Sequence, residues 1–207
     1  MGYRRKDHYY RKAKEEGYLS RAAYKFREIN QKVRIVSPGD RVVDVGCAPG
    51  GWSQVLLKVV GRNGFVVGID ILPVCRVRGE NFAFLHMDVE DPECPEKVLS
   101  LTRGPVDAVV SDAAPNTTGV KHVDHARSVA LVDAVLTFAI RVLREGGNFL
   151  AKVFDGPETK ELEEKMRKKF RKVRRIRPGA TRKESFEVYL TGIGFVGGGS
   201  EGEGERD

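Results

Sequence analysis

The chain has 207 residues and a formal net charge of +7 at pH 7, long enough for one domain with a substantial core. No apolar run approaches the roughly 20 residues of a membrane span, and the charged opening residues exclude a signal-peptide pattern. Cys47, Cys75 and Cys94 show neither CxxC spacing nor a disulfide framework, the usage of a reducing cytoplasm. No metal site is expected, because His122 and His125, the one close histidine pair, read as surface histidines.

Residues 1–19 read as a basic arm. Residues 1–27 hold nine Lys/Arg against three acids, with five of the six tyrosines. Cations interleaved with aromatic rings suit RNA, whose phosphates attract the former and whose unpaired bases stack on the latter. A helix is predicted over 21–33 with Ser20 as its N-cap. Strands then alternate with helices: a strand at 41–46, a helix at 52–60, and strands at 64–70 and 82–88. A weak helix at 94–102 and a strand at 106–112 follow. The longest helix covers 124–144, with Val129, Val132, Leu136, Ile140 and Leu143 three or four apart on one face. After the Gly146-Gly147 stop come a strand at 147–154, a charged helix at 158–170, and strands near 172–177 and 185–193. The segment 165–177 is basic at nine of thirteen positions, a second candidate RNA contact. From 196 a Gly/Glu-rich acidic tail is expected to be disordered.

Continuous apolar strands alternating with helices argue for a mostly parallel α/β sheet covered on both faces. Its two consecutive final strands predict an antiparallel hairpin at one edge. The expected architecture is therefore a Rossmann-like seven-stranded sheet over 20–195. Ligands in such sheets bind beyond the carboxyl ends of the strands, first of all at the first strand–turn–helix junction.

Here that junction reads VVDVGCAPGGWSQ, residues 42–54. It is not a P-loop, because Trp52-Ser53 stands where Lys-Ser/Thr should follow Gly51, and it lacks the GxGxxG of a dinucleotide fold. The turn allows close approach and offers no cation, which suits a ligand without phosphates. S-adenosylmethionine (SAM), a nucleoside joined to an amino acid through a sulfonium, is such a ligand. Asp70 ends the second strand, where an acid accepts from ribose hydroxyls. Asp88 ends the third, placed to accept from an adenine amino group. Asp44 and Asp112 add negative charge that favours a sulfonium over a phosphate.

The methyl acceptor follows by elimination. After the fourth strand stands SDAAPN, without the second proline and aromatic of a base-amino methyltransferase. A base-carbon methyltransferase needs a poised cysteine; Cys47 reads as a small filler, and Cys75 and Cys94 lie elsewhere. A hydroxyl acceptor remains. DVGCAPGGW, SDAAPN, AKVF and SFEVYL together resemble the FtsJ (RrmJ) family of ribosomal-RNA ribose 2′-O-methyltransferases, over about Ser20 to Leu190. The resemblance implies a catalytic tetrad of Lys25, Asp112, Lys152 and Glu187. It also implies SAM contacts at Gly50, Trp52, Asp70, Asp88 and Asp112, and a uridine of large-subunit rRNA as substrate. A cytoplasmic monomer acting on rRNA or the ribosomal subunit is expected. A tRNA or cap ribose methyltransferase, or a non-catalytic RNA-binding assembly factor, is the rival expectation.

Lys152 and Glu187 stand out without the resemblance, since each interrupts an apolar strand and buried charge costs several kcal/mol unless paired. A purely structural Lys152–Glu187 salt bridge is the competing account. Lys152 could act as a base if its pKa were lowered, or as a charged group orienting the 2′-oxygen; the sequence leaves both open.

Overall fold

The computed structural model describes residues 8–73, 75–182 and 184–197. The arm's Arg4, Arg5 and Lys6 and the tail from 198 lie outside the described residues. One sheet holds β1 (Arg41–Val45), β2 (Phe65–Asp70), β3 (Phe82–His86), β4 (Val106–Ser111), β5 (Leu143–Phe154), β6 (Phe170–Ile176) and β7 (Glu187–Phe195). Their order is β3-β2-β1-β4-β5-β7-β6. The first five are parallel and β7 runs antiparallel between β5 and β6, as the expected edge hairpin. The order reverses between β1 and β4, which opens a crevice at their carboxyl ends.

The helices are α1 (His8–Glu15), α2 (Ala22–Val33), α3 (Gly51–Val60), α4 (Cys94–Thr102), α5 (Lys121–Val142) and α6 (Thr159–Arg167). Alternation along each strand divides the core into two layers. Val43, Val45, Val67, Val109, Phe149 and Ala151 meet α4, α5 and α6. Val42, Val66, Ala108, Val110, Leu150 and Tyr189 meet α2 and α3. Lys152, two residues after Leu150, therefore belongs to the α2/α3 face. No helix among the described residues is long and apolar enough to cross a membrane.

Several boundaries move, each for a tertiary reason. Ser20 does not cap α2, whose N-cap is Arg21 without a side-chain bond. Its hydroxyl instead lies against Gly51, where an added Cβ would come within 2.1 Å of it. The long helix stops at Val142 and β5 starts at Leu143, before the two glycines. A register shift between Val106 and Ala108 accommodates this early start, and Asp107 pins it by accepting from Arg144 Nε (2.6 Å) and the Arg41 amide (2.7 Å). Phe170 opens β6 rather than ending α6. Its buried ring packs on Phe149 and Phe195, in space left by the missing side chain of Gly192.

His125 is a further correction. It is buried, with Nδ1 2.7 Å from the Phe154 carbonyl and Nε2 2.5 Å from Glu158 Oε2, so it ties α5 to the β5–α6 junction. The described part of the basic arm is α1, which packs Ala13 and Tyr9 on Tyr24.

The junction between β1 and α3 contains a buried carboxyl. Asp44 accepts from Ser53 Oγ at 2.6 Å, joining strand to helix inside the core. Burial first, then the nearby charges of Asp112 and Asp70, push its pKa up to about 7 against an ordinary 3.8, despite the bond from Ser53. Between those values the folded state holds a proton that the unfolded chain has released, so stability falls as pH rises through that window. Asp44→Asn keeps an acceptor for Ser53 and removes the titration. Its melting temperature should gain on the wild type as pH rises from 3.8 to about 7 and then hold a constant lead. Parallel pH profiles for the two proteins would show that Asp44 does not titrate there.

Candidate active site

Three neighbouring strands and one helix deliver the four tetrad positions to one place. The β4/β5 register pairs Ser111 with Ala151, so Asp112 and Lys152 emerge side by side. The β5/β7 register pairs Lys152 with Tyr189 and Phe154 with Glu187, which lays Glu187 along the same edge. From the covering layer, α2 contributes Lys25. Lys152 Nζ donates to the Asp112 carbonyl (2.6 Å) and lies 3.3 Å from Asp112 Oδ1 and 3.8 Å from Glu187 Oε1. Lys25 Nζ donates to Glu187 Oε2 at 2.8 Å. Both lysines are less than a tenth exposed.

The closest partner of Glu187 is thus Lys25, and the Lys152–Glu187 pair of the competing account is present only as a longer contact of 3.8 Å. Burial pushes the Glu187 carboxyl up, but Lys25 and then Lys152 outweigh it and hold the pKa below the ordinary carboxylate value. Removing Lys152 leaves Glu187 paired, so the cost of an orphaned buried acid does not apply.

Tyr189 is a member of this cluster that sequence reasoning passed over. Its hydroxyl donates to Asp112 Oδ1 at 2.8 Å, and its ring lies 5.9 Å below Lys25 Nζ. Burial, followed by the charges of Asp112 and Glu187, raises the phenol well above its usual pKa and keeps it a donor. The signal was available in SFEVYL: with a period of two, Glu187 and Tyr189 share one face of the strand.

The glycine turn lies next to this cluster. A Cβ on Gly46 would stand 2.5 Å from that of Ala113, so the turn and the SDAAPN segment touch. Gly50 has φ +118°, and its bare side is filled by Val77 and Leu19, with Val77 Cγ2 only 2.3 Å from where a Cβ would be. The close approach expected of a ligand at Gly50 is made there by the chain itself. Trp52 is likewise committed to packing. Its ring sits between Phe26 and Tyr189 and its Nε1 donates to the Ala22 carbonyl at 2.9 Å.

Each Asp70 oxygen accepts one backbone N–H, from Ala48 and from Leu72, both at 2.8 Å. A carboxylate oxygen has a second lone pair, so both retain capacity for hydroxyl donors. Asp88 is exposed two residues beyond β3, its Oδ1 accepting from the Glu90 amide at 3.0 Å. Residues 42–54 carry no Lys or Arg, while Asp112 and Asp70 lie close enough to Asp44 to add to the rise in its pKa that burial causes. This donor set fits a cationic nucleoside: carboxylates for hydroxyl and amino donors, and a negative field for a sulfonium.

The basic segments are more involved in internal structure than the sequence suggests. The Tyr24 ring meets Tyr9 at a tilt and Tyr18 edge-on, with Lys12 over the Tyr24 face and Arg21 over that of Tyr9, whereas Tyr10 is exposed. The run 165–177 divides between α6 and β6, where Arg175 pairs with Asp155 and Glu163, and Lys165 with Asp133.

The chain matches the model of FtsJ-like methyltransferases over residues 18–195. It is 46% identical over 194 residues to the ribosomal RNA large subunit methyltransferase E of Methanothermobacter thermautotrophicus, covering 94% of this chain and 92% of that one. Its identity to the enzyme of the same name from Methanobrevibacter smithii is 42% over 189 residues, covering 91% and 90% of the two chains. A solved Plasmodium falciparum structure assigned as a ribosomal RNA methyltransferase superposes with a TM-score of 0.78 at 28% identity, over 87% of this chain and 100% of that one. The matched segment runs from before α2 to the end of β7 and so contains the whole sheet and all four clustered charges; the chain belongs to the FtsJ-like methyltransferase family.

Proposed function

We propose that the protein is a SAM-dependent ribose 2′-O-methyltransferase acting on a uridine of large-subunit rRNA, as a cytoplasmic monomer. The observation that carries this reading is the junction of two environments at the carboxyl edge of the sheet. The charge cluster Lys25–Glu187–Lys152–Asp112 adjoins a glycine turn bordered by acids and free of cations. The relatives' names, which specify ribosomal RNA of the large subunit, support the substrate.

SAM supplies a methyl group on a positively charged sulfur that is already a good leaving group. The protein's task is to align the acceptor and accommodate the charge that develops on its oxygen. Asp70 accepts from the ribose hydroxyls of the cofactor and Asp88 from its adenine amino group. Asp112 contributes negative charge beside the sulfonium, and Gly50 and Trp52 border the cofactor through their main chain. Lys152 holds the 2′-oxygen of the acceptor and stabilises the negative charge that develops as the hydroxyl proton passes to water, while the bond from methyl to sulfur breaks and the bond from methyl to the 2′-oxygen forms. Asp112 and the Tyr189 hydroxyl fix the direction of Lys152, and the Lys25–Glu187 pair closes the outer side of the same cluster.

Two measurements test this assignment. Asp88→Ala removes an exposed acceptor and should weaken SAM binding by roughly 1–2 kcal/mol in calorimetry while leaving the melting temperature unchanged. Unchanged affinity would remove Asp88 from the cofactor site. Lys152→Ala should lower the single-turnover methylation rate by about 10²–10³-fold or more. Its affinities for SAM and RNA should stay near normal, because the contribution belongs to the transition state. A folded Lys152→Ala protein with near-normal turnover would exclude Lys152 from the reaction.

A further inference from the structure

A cavity of about 550 Å³ opens between α2 and α3, away from the charge cluster. Val36 and Val55 give it a buried apolar wall, and Arg27, Gln31, Arg34 and Lys58 stand around it. Its sides are fastened to one another. The Asn30 side chain donates to the Val36 carbonyl (3.0 Å) and accepts from the Val36 amide (2.9 Å), which fixes the loop leaving α2. The Gly39 amide donates to the Val60 carbonyl (2.8 Å) and ties that loop to the end of α3. On the other side Gln54 of α3 accepts from the Leu19 amide (2.8 Å) and donates to the Gly17 carbonyl (3.1 Å), holding Tyr18 at the rim. The cavity is built before anything enters it.

No carboxylate lines it. The acids on neighbouring segments are committed elsewhere: Glu16 pairs with Arg27 (3.4 Å) and Lys12 (3.7 Å), Glu28 pairs with Lys32 (2.7 Å), and Asp40 accepts from the Ser37 amide (2.8 Å). Arg27 is thus partly neutralised, whereas Arg34 and Lys58 are not. Both are exposed, and neither has an ion-pair partner among the described residues. The Lys58 ammonium donates to the Tyr18 hydroxyl (3.3 Å) and lies 4.4 Å from the centre of its ring. With Lys58 over Tyr18 and Tyr24 meeting that ring edge-on, the cavity presents charge and amide donors rather than a stacking surface.

Arg34 stands nine residues after Lys25. On a helix that is about two and a half turns and about 14 Å of rise, so the cavity lies on the opposite side of α2 from the tetrad. An RNA strand whose ribose reaches Lys152 spans that interval by crossing α2, and its phosphates then meet the two unpaired cations. We propose that the cavity is a second RNA contact, an anchor in which Arg34 and Lys58 hold the phosphodiester backbone of rRNA flanking the acceptor nucleotide, with the Gln31 amide as a further donor. This anchor rests on the rRNA substrate proposed above and adds to it a contact remote from the reacting atoms. It holds ground state and transition state alike, so it acts on affinity and leaves the chemical step unchanged.

Arg34→Gln and Lys58→Gln, singly and together, test it on protein-free large-subunit rRNA and on ribosomal subunits. Arg103→Gln serves as control. Arg103 is likewise an exposed arginine at a left-handed helix C-cap (φ 55° against 45° for Arg34), but it ends α4 on the other face of the sheet. Each single variant should weaken binding to protein-free rRNA severalfold and lower its salt slope by about one. The double variant should lose about tenfold or more in affinity and show a KM raised by the same factor. Its kcat and SAM affinity should stay within about twofold of the wild type. Arg103→Gln should bind as the wild type does. Unchanged affinity and salt slope in the double variant, or an equal loss in Arg103→Gln, would overturn the proposal. So would a loss seen on assembled subunits and absent from protein-free rRNA, which would assign the cavity to a ribosomal protein. Mapping the methylated atom in the same reactions tests the underlying reading separately. A methyl on a base defeats the ribose assignment, while the salt slopes still decide the anchor. A ribose methyl made by a double variant of wild-type affinity defeats the anchor alone.

Discussion

The arrangement at the carboxyl edge depends on withdrawing four charged side chains from water, Lys25 and Lys152 almost fully and Asp112 and Glu187 in part, so that each satisfies another. A lone ammonium or carboxylate at such a position costs several kcal/mol, and pairing recovers that only when geometry is good and the remaining lone pairs find donors. Here the conditions are met by a short Lys25–Glu187 contact, a Lys152 that donates to the Asp112 main chain, and a Tyr189 hydroxyl that completes the Asp112 carboxylate. Each contact requires a particular strand register. A slip of one residue between β5 and β7 would send Tyr189 to the opposite layer and separate Glu187 from both lysines.

The same constraint explains why α2 lies where it does. Its apolar face, Ala23, Phe26 and Ile29, packs into the layer shared with Trp52 and Tyr189, and that docking carries Lys25 to Glu187. The Trp52 ring stands between Phe26 and Tyr189 as the filler that sets the spacing, so a residue marked by the family pattern as a cofactor neighbour is first of all a packing element. Tyr189 in turn connects the packing layer to the charge cluster, apolar on its ring and polar at its tip.

The glycine turn has a different balance of charge from the tetrad. Burial raises the Asp44 pKa, Asp112 and Asp70 add to that rise, and residues 42–54 carry no Lys or Arg to offset it.

What the sequence determined by itself is the local layer of this description. Period-two and period-3.6 patterns placed every strand of the sheet, and the helix at 94–102 coincides with α4. A glycine turn without cations together with acids after consecutive strands indicated a cationic nucleoside ligand, because backbone conformation and charge are written in adjacent residues. Tertiary structure decided the rest. Phe170 became a strand residue because aromatic partners and a bare Gly192 awaited it. Ser20 turned to α3, and Asp107 pinned β5 before the glycines that should have preceded it. Lys25 found Glu187 across 162 residues of sequence, and the same hairpin brought Arg182 against Arg21. Such pairings depend on how layers dock and which register the sheet adopts. Those are properties of contacts between segments, and no local pattern encodes them.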